Sequence, residues 1–233
     1  MAATLYIIPT PIGSSNTPWL LETQRDQILH LRYFAVEVPK TARQHLRALN
    51  WPVPLSSLTL LTVNKNSTAV TLAPLLDLLA SGEDIGLLCE AGCPAIADPG
   101  ALLIAQAHDQ GQRILPLIGP SAILMALMAS GMPAQRFTFH GYLPKFATQR
   151  IIALRALEKE SLERDATQIF IETPYRNDAL LNSCINTLRP TTRLAIACEL
   201  TLPNQTIISC LVKNWPPLPA LHKKPCVFML YAA

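Results

Sequence analysis

The first half of the chain alternates between two periodicities, and that alternation limits the folds open to it. Short runs rich in β-branched and aromatic residues occupy positions 4–9, 33–37, 58–63, 84–90 and 113–117. Helical stretches stand between several of them, at 41–49, at 68–80 before Ser81-Gly82, and at 101–109 before Gln110-Gly111, each glycine at a C-terminal cap position. Strands that alternate with helices pair side by side in the same direction, so the sequence predicts a mostly parallel five-stranded α/β domain over residues 1–117.

Three of these strands run into loops too specialised to be plain connections. They are Pro9-Thr10-Pro11-Ile12-Gly13, Ala91-Gly92-Cys93-Pro94-Ala95-Ile96-Ala97-Asp98-Pro99-Gly100, and Gly119-Pro120-Ser121-Ala122. In open α/β sheets ligands bind where loops leave the carboxyl ends of strands. Three such exits in one half of the chain predict a single shared cleft.

The second half has a different rhythm. Residues 121–130 form a short apolar helix, expected to be buried and ended by Gly131 and Pro133. A strand at 136–143, a charged helix at 147–165, a strand at 168–172 and a helix at 176–188 follow. Strands at 193–200, 206–212 and 226–231 then succeed one another without helices. The expectation for 118–233 is a mixed-sheet, α+β-like domain. Pro216-Pro217-Leu218-Pro219 marks a loop.

Half of the residues are hydrophobic and mean hydropathy is +0.26, which raises the question of a membrane span. The one uncharged run of sufficient length, 114–135, is broken by Pro116, Gly119, Pro120, Gly131 and Pro133. It reads as a strand, a turn and a helix. Met1-Ala2-Ala3-Thr4 lacks a basic leader segment, so no membrane association is expected and a cytoplasmic location is. The six cysteines sit mostly in apolar surroundings as free thiols, and Cys89 and Cys93 have no companion Cys/His pair at ligand spacing, so no metal is expected. The formal charge of +3 is compatible with nucleic acid without requiring it.

The ordered set of motifs is more specific than any one of them. Pro9-Thr10-Pro11-Ile12-Gly13, Ala91-Gly92-Cys93-Pro94 with Asp98-Pro99-Gly100, Gly119-Pro120-Ser121-Ala122, His140-Gly141-Tyr142-Leu143-Pro144, Glu172-Thr173-Pro174-Tyr175-Arg176 and Glu199-Leu200-Thr201 resemble the tetrapyrrole methylase superfamily. The nearest branch is that of the ribosomal-RNA small-subunit ribose methyltransferases. The resemblance implies a two-domain enzyme, usually a homodimer, that binds S-adenosylmethionine in a cleft between domains. It implies that Cys93 and Ile96 line one side of the cofactor, Ser121 and Ala122 the other, Ile12 the mouth and Leu200 the adenine. Gly92 would leave room for the cofactor against the main chain, and Tyr175 with Arg176 would touch cofactor or acceptor.

The chain departs from that branch on the substrate side. Glu37-Val38-Pro39-Lys40 stands where the branch has Glu-Asp-Thr-Arg, Asn64-Lys65-Asn66 where it has His-Glu-His, and Cys93 where the tetrapyrrole enzymes carry Asp. The acceptor is therefore open between RNA, a small molecule or protein side chain, and none in a cofactor-binding module without activity. A hydroxyl acceptor must lose a proton, which makes Glu37 and Glu90 at strand ends the candidate bases. Either could instead cap a helix or pair with Arg43. Lys40, Arg43 and Arg47 share one helix face that could grip phosphates, with a solvated basic face as the plain alternative. Asp98 reads as a turn or N-cap residue, and His140 as structural.

Overall fold

A computed structural model describes residues 3–13, 19–217 and 220–233, so Met1, Ala2, Leu218 and Pro219 of the segments discussed above lie outside the described residues. The chain divides into two compact units, Met1–Ser121 and Ala122–Ala233. The division falls a few residues beyond Leu117, and it assigns Ser121 and Ala122 to different units.

The first unit holds β1 (Thr4–Ile8), α1 (Glu22–Ile28), β2 (Tyr33–Val36), α2 (Pro39–Ala48), β3 (Thr59–Thr62), α3 (Ala69–Ala80), β4 (Ile85–Leu88), α4 (Ala101–Asp109) and β5 (Arg113–Pro116). All five strands are parallel, in the order β3-β2-β4-β1-β5. β4 is buried along its whole length, as expected of a central strand covered on both faces. Its neighbours supply fully buried Leu5, Ile8 and Phe34, each worth about 1.5–3 kcal/mol on transfer from water. Helix α1 is absent from the sequence reading. It has seven residues, its N-cap Leu21 makes no side-chain bond, and only Ile28 is buried, so little periodic signal exists. Helix α2 starts at Pro39, earlier than residue 41, because proline is suited to the first helical turn.

The second unit holds α5 (Ala122–Ser130), β6 (Phe137–Tyr142), α6 (Ala147–Arg164), β7 (Thr167–Ile171), α7 (Asn177–Thr187), β8 (Arg193–Cys198), β9 (Thr206–Leu211) and β10 (Cys226–Tyr231). Its sheet runs β6-β7-β10-β8-β9, parallel between β6 and β7 and antiparallel elsewhere. Phe170, Leu194, Ile196, Phe228 and Leu230 join Leu154 and Leu157 of α6 and Leu180 and Leu181 of α7 in one core. Helix α5 lies on the other face, where Ser209 Oγ donates to the Ser130 carbonyl and Ser209 stands opposite Ala195.

Helix α5 corrects the expectation of complete burial. Ala126, Leu127 and Ser130 are buried, but Leu124 is 51% and Met128 83% exposed. A helix resting on a sheet buries the side that touches it, and an all-apolar sequence does not change that geometry. Among the described residues no helix is long and apolar enough to cross a membrane.

Candidate active site

Strand order decides which loops meet. β4, β1 and β5 are consecutive in the first sheet, so the loops leaving their carboxyl ends are neighbours, and β2 ends beside β4 on the other side. The first two loops are tied by a reciprocal backbone pair, Thr10 N–H to the Gly92 carbonyl at 2.8 Å and Gly92 N–H to the Thr10 carbonyl at 3.1 Å. Cys93 Sγ reaches the Pro120 carbonyl at 3.4 Å, which brings in the third. Gly119 packs on Pro9 so closely that a Cβ there would stand 2.2 Å from Pro9 Cβ. Ile12, Gly92, Cys93, Ile96 and Ser121 all belong to this unit. Ile12 and Cys93 are half-buried, and Ile96 is half-exposed.

The loop after β4 is conformationally strained. Gly92, Ala95, Ala97 and Gly100 all have positive φ, at 85°, 65°, 64° and 132°. Left-handed alanines are disfavoured by about 1 kcal/mol or more each, so the surrounding structure must hold them there. A Cβ on Gly92 would lie 3.3 Å from Ile12 Cγ2 and 3.9 Å from the Pro120 carbonyl oxygen, filling the space between the loops.

Carboxylates gather at the same end of the sheet. Glu37 follows β2, Glu90 follows β4, and Asp98 comes back from the long loop. Burial pushes the Glu37 carboxyl above the ordinary range, and the negative charges of Asp98 and Glu90 push it further. Asp98 is also raised, first by burial, with a hydrogen bond from the Cys89 thiol opposing and Glu90 adding. The Cys89 thiol, pushed up to about 12 mainly by burial, remains protonated and contacts Thr10 Oγ1 and the Gly92 carbonyl. Glu90 is exposed and accepts from Thr41 Oγ1 at 3.2 Å, in the first turn of α2. Arg43 makes none of the ion pairs found among the described residues, and Lys40, Arg43 and Arg47 are all exposed.

Asp98 departs in part from the sequence expectation. The N-cap of α4 is Gly100 and it has no side-chain cap bond, so Asp98 is not the cap; it lies half-buried among the bends of the loop, as the turn alternative expects. Two further residues had no functional reading in the sequence. Thr10 is fully buried at the loop junction. His45 lies in α2 with Nε2 3.1 Å from the Glu90 carbonyl, to which it must donate. Burial lowers the His45 pKa, so the ring is neutral, and its Nδ1 is buried without a hydrogen-bond partner. The only sequence signal for it was its place on the inward face of α2 beside Leu46.

Ala122, Tyr175 and Leu200 belong to the second unit. Ala122 opens α5, and Tyr175 is 69% exposed with its ring edge-on to His222. Leu200 is buried between Glu199 and Thr201, which have φ of 55° and 69°. Glu199 steadies this turn by accepting from Asn204 Nδ2 at 2.6 Å and pairing with Lys224 Nζ at 3.1 Å. Arg176 donates to Glu172, whose side chain is fully buried. Burial would raise Glu172, but bonds from Arg176 and the Thr173 N–H outweigh it and hold the carboxyl below its ordinary range.

The chain is similar to known proteins over most of its length. Residues 17–215 match the family model of tetrapyrrole (corrin/porphyrin) methylases. A ribosomal RNA small subunit methyltransferase I of Vibrio cholerae is 34% identical over 88% of this chain and 68% of its own length. The protein of that name from Pseudomonas aeruginosa is 31% identical over 95% of the chain and 72% of its own length. The methyltransferase CobJ superimposes with a TM-score of 0.60 at 17% identity, covering 99% of both chains. Uroporphyrin-III-C-methyltransferase from Thermus thermophilus gives 0.57 at 17% identity, covering 99% of this chain and 93% of that one. The chain therefore belongs to the tetrapyrrole methylase family and is an S-adenosylmethionine-dependent methyltransferase.

Proposed function

We propose that this enzyme methylates ribosomal RNA, with the loops after β1, β4 and β5 holding S-adenosylmethionine and Glu37 serving as general base. The observation that carries the reading is the junction of Thr10, Gly92, Cys93 and Pro120 beside a half-buried carboxylate. The RNA substrate is supported by the relatives named as ribosomal RNA small subunit methyltransferases.

The residues present suit the cofactor. A flat nucleoside lying against main chain needs glycine where a Cβ would intrude, and Gly92 meets that need. Ile12, Cys93, Ile96 and Ser121 offer apolar and small polar contacts around it. When bound, S-adenosylmethionine supplies an electrophilic methyl group on sulfur. The protein's part is to hold an acceptor in line and to receive its proton. Glu37 fits the second task, because a carboxylate whose pKa is raised is a better base near neutral pH than an ordinary one. Burial sets that shift, and the charges of Asp98 and Glu90 add to it.

Lys40, Arg43 and Arg47 form an exposed basic ridge on α2, which begins directly after Glu37-Val38. Such a ridge suits RNA phosphates, which position a substrate without specifying its sequence. The family resemblance further supports a homodimer acting in the cytoplasm, which sedimentation and fractionation would test.

The deciding experiment follows a tritiated methyl group from S-adenosylmethionine into RNA, protein and small-molecule fractions of a cell extract. Label in small-subunit ribosomal RNA, lost in Glu37→Gln, is expected. Label confined to another fraction would overturn the substrate, and calorimetry without cofactor binding would overturn the site.

A further inference from the structure

The second unit contains a pair of cysteines that methyl transfer does not use. Cys198 ends β8 and Cys226 begins β10, and they stand directly opposite each other in the antiparallel ladder. The Glu199 N–H donates to the Pro225 carbonyl at 3.0 Å, one residue beyond Cys198 and one before Cys226. That bond identifies the cysteines as a non-hydrogen-bonded pair, the kind in which Cα atoms approach to about 4.5 Å and side chains are closest. A disulfide needs Cα atoms roughly 4.4–6.8 Å apart. Both thiols are free, and each perturbs the titration of the other by direct contact.

We propose that Cys198 and Cys226 close into a reversible cross-strand disulfide when the enzyme meets a low-molecular-weight disulfide such as oxidised glutathione. Cys198 is the first to react. It is 3% exposed and lines a small cavity with Thr206, Ile208, Ala220, Leu221 and Lys224, whereas Cys226, 6% exposed, is turned toward Cys198 and the Lys224 carbonyl, so local opening of the β8 and β10 ends must precede the attack. The Cys198 thiol gives up its proton, and its sulfur attacks one sulfur of oxidised glutathione. One glutathione leaves as thiolate and takes up that proton. Cys226, deprotonated in turn, attacks the Cys198 sulfur of the mixed disulfide and releases the second glutathione thiol. Two protein thiols are oxidised and one small disulfide is reduced to two thiols.

The position gives the bond a consequence. It would fasten the base of the left-handed Glu199–Leu200–Thr201 turn and the segment before β10, which is held from the other side by the Lys224–Glu199 ion pair. Burial pushes both thiols upward, so closure is slow at neutral pH and accelerates as pH rises.

The test treats the whole chain with oxidised glutathione and counts thiols in denaturant. A fall from six to four is expected, returning to six with dithiothreitol, and non-reducing peptide mapping should join the peptides bearing Cys198 and Cys226. The rate should rise with pH. In Cys226→Ala the joined peptides should vanish and glutathione should remain on Cys198. A count that stays at six, or loss of thiols confined to the less buried Cys93 and Cys210, would overturn the proposal. The mapping of unaltered protein decides the matter even if a variant fails to fold.

Discussion

Replacing Gly119 by alanine tests whether the first unit's loops must touch as closely as they do. The added Cβ would stand 2.2 Å from Pro9 Cβ and 2.5 Å from its Cγ. Carbon atoms rest at about 3.5 Å or more, so the two loops must separate by roughly 1.3 Å. Pro9 cannot swing aside as a long side chain would, because its ring is fixed to the backbone. Overpacking of this kind costs about 1–3 kcal/mol, or a fall in Tm of a few degrees in a chain of this size. Function should suffer more than stability. A displacement on the order of 1 Å at a reacting centre lowers rate by about 100-fold, and affinity for S-adenosylmethionine should fall at least tenfold for ~1.4 kcal/mol lost. Gly111→Ala is the control, since Gly111 has a φ of 68° but no atom within 4 Å of an added Cβ. It should lose about 1 kcal/mol of stability from backbone strain and keep its cofactor affinity. Calorimetry with S-adenosylmethionine and thermal unfolding on both variants read the two effects separately. If Gly119→Ala binds cofactor as tightly as the parent protein, the close approach of Gly119 to Pro9 does not shape the site.

Glu37→Gln should lower kcat by about 100-fold or more with little change in cofactor affinity. In the parent protein the acid limb of the pH–rate profile should lie above the ordinary carboxyl range, since the base must be ionised and its pKa is raised. The same variant should unfold at an equal or higher temperature at pH 7, because a raised carboxyl pKa means that the folded state disfavours the charge; an unchanged rate would remove Glu37 from the reaction. Glu172 has the opposite sign. Its carboxyl is held low in the folded state, so its stabilisation is present above the unfolded value near 4.3 and is lost as pH falls through the folded value, a loss that Glu172→Gln should abolish in acid unfolding curves. Glu158→Ala should destabilise the protein by about 2–4 kcal/mol in urea unfolding, because it strands the Arg189 N–H and the buried Thr192 hydroxyl that Glu158 accepts from. Arg43→Ala should weaken RNA binding uniformly across sequences and reduce its salt slope by about 1, leaving cofactor affinity untouched.

Local signals in the sequence were sufficient for the strands of both sheets, because each is a short β-branched or apolar run and most are ended by Pro or a charged residue. They failed at α1, where a single buried residue leaves no period to read. They also misjudged α5, since composition reports that a helix is apolar and says nothing about how much of it a neighbour covers. The three Gly/Pro strand exits lead to the expectation of one shared cleft, and the physical basis of their adjacency is the pairing of β1 with both β4 and β5. Asp98, Thr10 and His45 illustrate what local signals miss. Their partners are Cys89, Gly92 and the Glu90 carbonyl, and for Thr10 and His45 those partners are distant in sequence. No window of local sequence contains both members of such a pair.

The position of β1 bears on how the protein emerges from a ribosome. Its five residues are made long before both strands that flank it, β4 and β5, which lie at residues 85–88 and 113–116. During most of the synthesis of the first unit this apolar segment has exposed N–H and C=O groups on either side, an invitation to pairing with other nascent chains. Cells that make the enzyme in quantity should therefore need a chaperone that shields β1 until β5 has left the exit tunnel.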